Sequence, residues 1–247
     1  MRRIVYLENS GFALELEGLL LAFDICSSKP APGKRGLAGG VVDEETLRPF
    51  ERRALFFSHS HRDHYDPAAF RLPGCEKYIS FEFPKSFAGV RMEPGQELER
   101  DGLWIKAFGS TDLGGSFVVR AQGLCLFHAG DFNLWHWREE STPQEIREAY
   151  ALYEAVLQPL LPYGDHIDIA FFPVDPRMGK TTMEGALDFA ARLRPRLTIP
   201  MHMQGDAALG LAFERAMAGQ GRAAKCLPHR GDWLDIDQAL QTGGHEA

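Results

Sequence analysis

The chain reads as a mixed α/β protein in which two β-sheets pack on each other and helices cover the outside. Its first half is rich in short strands, and its second half alternates strands with capped helices. No Pro/Gly/Ser-rich linker divides the two halves, so one domain over residues 1–247 is expected. That length is enough for one large core, and 45% hydrophobic with 25% charged residues is the balance of a globular chain.

Residues 3–7, 12–17 and 19–24 alternate or run apolar, with Asn9-Ser10-Gly11 and Gly18 as turns, which predicts an N-terminal β-meander. Residues 27–40, rich in Gly, Pro and Lys, form a loop, either a surface excursion or a lid. A short helix over 43–51, with Asp43 as its cap, precedes a buried strand at 54–57. Asp66-Pro67 has the pattern of an N-cap followed by proline at the first helical position. Strands follow near 76–80, 103–108, 116–121 and 124–128. Thr142, Pro143 and Glu145 open a helix over 143–158 with a capping box. After a buried strand at 167–172, Thr181 and Glu184 predict a second capping box and a helix to about 193. A strand at 197–200, a helix at 206–218 and a strand at 233–236 complete the chain.

Composition excludes several classes. A net charge of −7 argues against a nucleic-acid partner, which draws affinity from clustered Lys and Arg. The opening MRRIVYLENSGF has no apolar run of the kind a secretory leader needs, and no stretch approaches the ~20 apolar residues of a membrane span. Cys26, Cys75, Cys125 and Cys226 lie far apart without a C-x-x-C pair, so neither a disulfide framework nor a zinc knuckle is expected. They read as small buried hydrophobes in a cytoplasmic protein that meets no membrane.

The chemistry is concentrated in Ser58-His59-Ser60-His61-Arg62-Asp63-His64, directly after the strand at 54–57. In an extended segment His59 and His61 point the same way, so they can grip one metal together. Asp63 and His64 diverge unless the chain turns, and a turn aims this second pair at a neighbouring point. Imidazole and carboxylate suit zinc, iron or manganese without any thiolate. One loop can thus begin two metal sites.

H-x-H-x-D-H after a buried strand resembles the signature of the metallo-β-lactamase superfamily. Ser10-Gly11-Phe12 through Asp24, Phe127-His128-Ala129-Gly130-Asp131 and Thr198-Ile199-Pro200-Met201-His202 resemble further family segments in order and spacing. The resemblance covers most of the chain and implies a four-layer αββα sandwich with two divalent ions at one edge. It implies that His59 and His61 hold the first metal, that Asp63, His64 and His202 hold the second, and that Asp131 bridges both. Asp63 and Asp131 are then also the catalytic carboxylates, acting on a water between the metals. Zinc is expected before manganese or iron. The family's third histidine for the first metal has no counterpart in Gly109–Ser116, where Asp112 stands at its position and is expected to replace it.

Around these residues, His128 is expected either to orient Asp131 or a substrate or to be a satisfied structural histidine, and Asp24 and Asp175 are expected behind metal-binding histidines. His136 is a candidate proton donor, and Trp135 and Trp137 a candidate aromatic wall. Arg177 and Lys180 are either an anion clamp or a solvated pair. His166, His229 and His245 have no assigned role. The Ser-Gly-Phe and His-Ala-Gly-Asp segments look like the lactonase-like branch that includes ascorbate-6-phosphate lactonase. This implies hydrolysis of a small ester or lactone. The alternatives are a phosphodiesterase or nuclease of the same fold, for which no basic RNA-binding arm is evident, and a metal-binding protein that has lost catalysis.

Overall fold

The computed structural model describes residues 1–242; His245 lies outside the described residues. The N-terminal strands β1 (Arg3–Tyr6), β2 (Phe12–Glu15) and β3 (Leu19–Phe23) form the expected meander. They continue through β4 (Arg52–Phe57), β5 (Glu76–Ser80) and β6 (Val90–Met92), which run parallel to β3 and to one another. The second sheet holds β7 (Glu97–Arg100), β8 (Leu103–Phe108), β9 (Ser116–Ala121) and β10 (Leu124–His128) in antiparallel register. β11 (Ile169–Pro173) and β12 (Leu197–Met201) then extend it parallel to β10. A last strand, β13 (Trp233–Asp235), pairs with β1, giving the orders β13-β1-β2-β3-β4-β5-β6 and β12-β11-β10-β9-β8-β7.

The apolar runs follow from burial on both faces of these sheets. Phe12, Phe23 and Phe56 point inward and meet the second sheet, with Phe12 4.5 Å from Phe171 and Phe56 5.8 Å from Phe117 between ring centroids. Their strand neighbours Ala13, Ala22, Leu55 and Phe57 point outward into a separate core beneath two short helices, α1 (Glu44–Leu47) and α2 (Pro67–Phe70). On the far side, α3 (Pro143–Leu157) and α4 (Glu184–Leu193) cover the second sheet. Phe189 of α4 lies 5.2 Å from Phe127 and 4.5 Å from Phe172. The result is helix, sheet, sheet, helix. Two further helices, α5 (Ala207–Gly219) and α6 (Ile236–Thr242), follow β12 and β13. No helix among the described residues is long and apolar enough to cross a membrane.

Several local expectations are met in atomic detail. Thr142 and Glu145 form a reciprocal capping box on α3, and Asp43 and Asp66 cap α1 and α2. Others are corrected. The helix expected over 43–51 is only Glu44–Leu47. The capping box of Thr181 with Glu184 does not form. Met183 occupies the N-cap of α4 without a side-chain bond, and the Thr181 hydroxyl lies 2.8 Å from the His136 carbonyl, to which it donates. Gly179 kinks the chain here, so Thr181 belongs to the preceding 3-10 turn, Pro176–Thr181. β6 and β7 were not anticipated. β7 is the charged edge strand Glu-Leu-Glu-Arg, largely exposed, and carries no apolar alternation. The 27–40 loop is pinned by Arg230, whose guanidinium donates to the carbonyls of Lys29 (2.7 Å) and Gly40 (3.2 Å).

The glycines between β8 and β9 hold the strand end that carries the histidines. Gly115 N–H donates to the Ser58 carbonyl at 3.1 Å. A Cβ on Gly114, which has φ of +78°, would stand 2.1 Å from the Ser58 oxygen and 2.6 Å from the His59 Cβ. Gly114→Ala therefore combines left-handed backbone with a steric clash and is expected to cost about 3 kcal/mol in denaturant unfolding. Stability equal to the parent would contradict this packing.

Candidate metal centre

The site lies where parallel strands end. His59 follows β4, Asp24 follows β3, Asp131 follows β10, Asp175 follows β11 and His202 follows β12. Carboxyl ends of parallel strands are where layered α/β folds gather ligands, because the chain must leave the sheet there in loops. Four residues around the site, Asn9, Asp24, His202 and Gln204, take left-handed backbone at φ of 43–59°. Such strain persists in non-glycine residues only where surrounding contacts enforce it.

Six expected donors converge. His59, His61 and Asp131 form one group, His64, Asp131 and His202 a second, and His59, Asp63 and His64 a third, with donor atoms in each group within 4.8 Å of one another. Asp131 turns Oδ2 toward His59 Nε2 at 3.3 Å and Oδ1 toward His64 Nε2 at 3.0 Å and His202 Nε2 at 3.5 Å. Asp63 Oδ2 stands 3.2 Å from His202 Nε2 and 3.8 Å from His64 Nε2. Donors about 2.0–2.1 Å from a tetrahedral zinc stand about 3.3 Å apart, so this spacing fits an ion. The chemistry fits as well: His59 Nε2, His64 Nε2 and Asp131 Oδ1 are buried without a hydrogen-bond partner among the protein groups.

The other nitrogen of each buried ring is held from behind. His64 Nδ1 lies 2.7 Å from Asp24, His202 Nδ1 2.8 Å from Asp175 and His59 Nδ1 3.0 Å from the Ser58 hydroxyl. These bonds turn Nε2 of each ring inward and fix the tautomer that offers it a lone pair. Asp24 also accepts from Ser58 N–H (2.7 Å) and the Ser58 hydroxyl (2.6 Å), tying the brace to the histidine loop. His128 stacks on Phe23 and donates to the Ser10 carbonyl at 2.8 Å, with Nδ1 3.9 Å from Asp24. These contacts are those of a satisfied structural histidine beneath Asp24, one of the two roles expected of it.

Electrostatics follow this layout. Burial lowers the His59 pKa to about 4, with His64 adding to the effect, so its ring stays neutral. Burial also opposes protonation of His64, but Asp131 and Asp24 outweigh it and carry the group up to about 10. Burial raises the Asp131 carboxyl, while His64, His202 and His59 outweigh it and hold the group well below the usual carboxylate range.

Two expected site residues are not brought in. Asp112 is exposed at the tip of its turn and belongs to none of the three donor groups. Thr111, its neighbour, bonds to Asn133 instead (Oγ1 to the carbonyl, 2.5 Å), which holds the tip in place. His136 is buried away from the donors, its ring against Tyr150 (5.4 Å) and Glu184 (3.5 Å). Arg177 pairs with Asp175 and Lys180 with Glu139. Trp137 donates to the Arg177 carbonyl, while Trp135 donates to the Asp131 carbonyl and stands 6.2 Å from His202. Asn9 was read only as a turn, yet its amide lies 3.2 Å from the Asp63 carbonyl and 3.4 Å from Oδ2. An asparagine two residues before a glycine signals a turn, and nothing local in the sequence points to its contact with Asp63.

In the metal-free protein an incoming ion must displace the proton that His64 holds up to about pH 10. The raised pKa favours the protonated ring, so competition is strongest at low pH and fades as pH rises through that value. Metal affinity is expected to climb with pH through the neutral range. Calorimetry in buffers of differing ionisation enthalpy is expected to find proton release on binding. Affinity independent of pH would contradict the protonated state of His64.

No family model matches the chain. A curated UPF0173 metal-dependent hydrolase from Opitutus terrae is 28% identical over 226 residues, covering 83% of this chain and 86% of that protein. Igni18, a metallo hydrolase from the archaeon Ignicoccus hospitalis, superposes with a TM-score of 0.65 at 20% identity over 94% of this chain and 97% of its own. The metallo-β-lactamase fold protein YhfI from Bacillus subtilis superposes with a TM-score of 0.56 at 12% identity, over 95% of this chain and 100% of its own. With the two-sheet architecture and the converging donors, these likenesses show that the chain has the metallo-β-lactamase fold and is similar to metal-dependent hydrolases.

Proposed function

We propose that the protein hydrolyses a small ester or lactone at a binuclear zinc centre, acting as one domain in the cytoplasm. His59, His61 and Asp131 would hold one ion, and Asp63, His64, Asp131 and His202 the other. The observation that carries this reading is Asp131, whose two oxygens face separate histidines: His59 on one side, His64 and His202 on the other. Divalent ions bound there would polarise a carbonyl and supply a hydroxide nucleophile near neutral pH, where the pKa of bulk water, 15.7, falls to about 7.

The chain's own residues do the rest. Asp24, Asp175 and Ser58 hold the three rings in one orientation, so little reorganisation is needed when charge develops. Asp63 is the most exposed of the carboxylates here, with 42% of its side chain accessible, and would be the one to accept a proton from an incoming water. Asn9 restrains that oxygen. Trp135, half-buried beside His202, offers an apolar wall for the acyl portion. His136 takes no part in this scheme.

The two donor sets are unequal. The first has two histidines, one of them exposed, and a shared carboxylate; the second has two buried histidines and two carboxylates. Elemental analysis is expected to find about two ions per chain, the first-set ion leaving earlier under mild chelation. Asp112→Ala is expected to keep both ions, and Asp131→Ala to lose metal and at least about 100-fold in turnover of a lactone and ester panel. Full activity in Asp131→Ala would refute the assignment.

A further inference from the structure

A cavity of about 660 Å³ opens beside the donor cluster, with Asp63 as the cluster residue in its wall. Its volume lies in the range of small-ligand sites. Arg62, Gln204, His229 and Arg230 line it together with Glu8 and Asn9. Cys26 and Ser27, the start of the long loop, close one side.

The charges in this wall are not balanced. Arg230 is engaged, its guanidinium donating to the carbonyls of Leu7, Lys29 and Gly40 and paired with Glu8 at 3.1 Å. Arg62 is exposed and has no ion pair or hydrogen bond among the described residues, and the His229 ring is also exposed. Arg62 and Arg230 share this wall with Glu8 and Asp63; Arg230 takes Glu8, Asp63 faces the metal-site histidines, and Arg62 is left without an ion pair among the described residues. In a chain that carries −7 overall, an unpaired guanidinium beside the donor cluster is a local point of attraction for an anion. One unpaired guanidinium matches one carboxylate, which it can bind with two parallel N–H donors.

We propose that the substrate carries a carboxylate remote from the bond that is cleaved, and that Arg62 binds it, with His229 lining the same cavity. The proposal rests on the hydrolase reading above and narrows its substrate class. The amides of Asn9 and Gln204, joined at 3.4 Å, line the same cavity beside Asp63 and suit a polar linking chain.

The test compares mono-p-nitrophenyl glutarate with p-nitrophenyl butyrate, esters of like size that differ in the terminal charge, on the metal-loaded enzyme. The charged ester is expected to have a kcat/KM about tenfold higher, mainly through KM, and Arg62→Gln is expected to erase that preference. Arg147→Gln, on the exposed face of α3, controls for net charge and is expected to keep it. Equal kcat/KM for the two esters in the parent, or a preference that survives Arg62→Gln, would overturn the proposal. Should neither ester turn over, the hydrolase reading fails for such esters. The carboxylate site is then tested by calorimetric binding of monomethyl glutarate. Weaker binding to Arg62→Gln with metal retained supports it, and unchanged binding overturns it.

Discussion

The structure turns on the meeting of imidazole nitrogens and one carboxylate about Asp131, with no protein group to complete their hydrogen bonds. Each buried polar atom left in that state costs about 1–3 kcal/mol, and three of them stand within one small volume. A compact fold does not accumulate such atoms by chance packing. Each ring is fixed on its far side, and a cation would satisfy the near side at once. The protonated, low-affinity state of His64 and the depressed carboxyl of Asp131 are two faces of that arrangement: without an ion, protons and buried charge pairs do the balancing.

The rest of the upper edge serves this convergence. Parallel strands β3, β4, β10, β11 and β12 deliver Asp24, His59, Asp131, Asp175 and His202 to the same end of the sandwich. Exit from those strands is abrupt, and Asp24 and His202 take left-handed backbone to make it. Gly114 and Gly130 let neighbouring backbone approach Ser58 more closely than any side chain would allow. The double role of Asp24, holding both Ser58 and His64, ties the histidine loop to the strand beside it.

Much of this was legible in the sequence because the signals are local. Three histidines and an aspartate within six residues, after an apolar strand, announce a metal loop wherever the strand lies. Capping residues marked α2 and α3 for the same reason, since their partners lie within three positions. What failed depended on distant partners. Asp112 occupies the expected alignment position, but Thr111 commits the turn to Asn133 and leaves the carboxylate in solvent. His136 sits only five residues beyond Asp131, yet the loop turns it back onto Tyr150 and Glu184. Thr181 has the spacing of a cap but spends its hydroxyl on His136. Asn9, Arg62 and His229 come together only once strand ends from three parts of the chain share one mouth, which no window of sequence displays.

The central claim is that Asp131 joins two ions, one beside His59 and His61 and the other beside His64 and His202. Anomalous diffraction at the zinc edge on crystals grown with zinc tests it most directly. The account predicts two peaks, each within bonding distance of a different oxygen of Asp131. A single peak, or two that do not share Asp131, would contradict it.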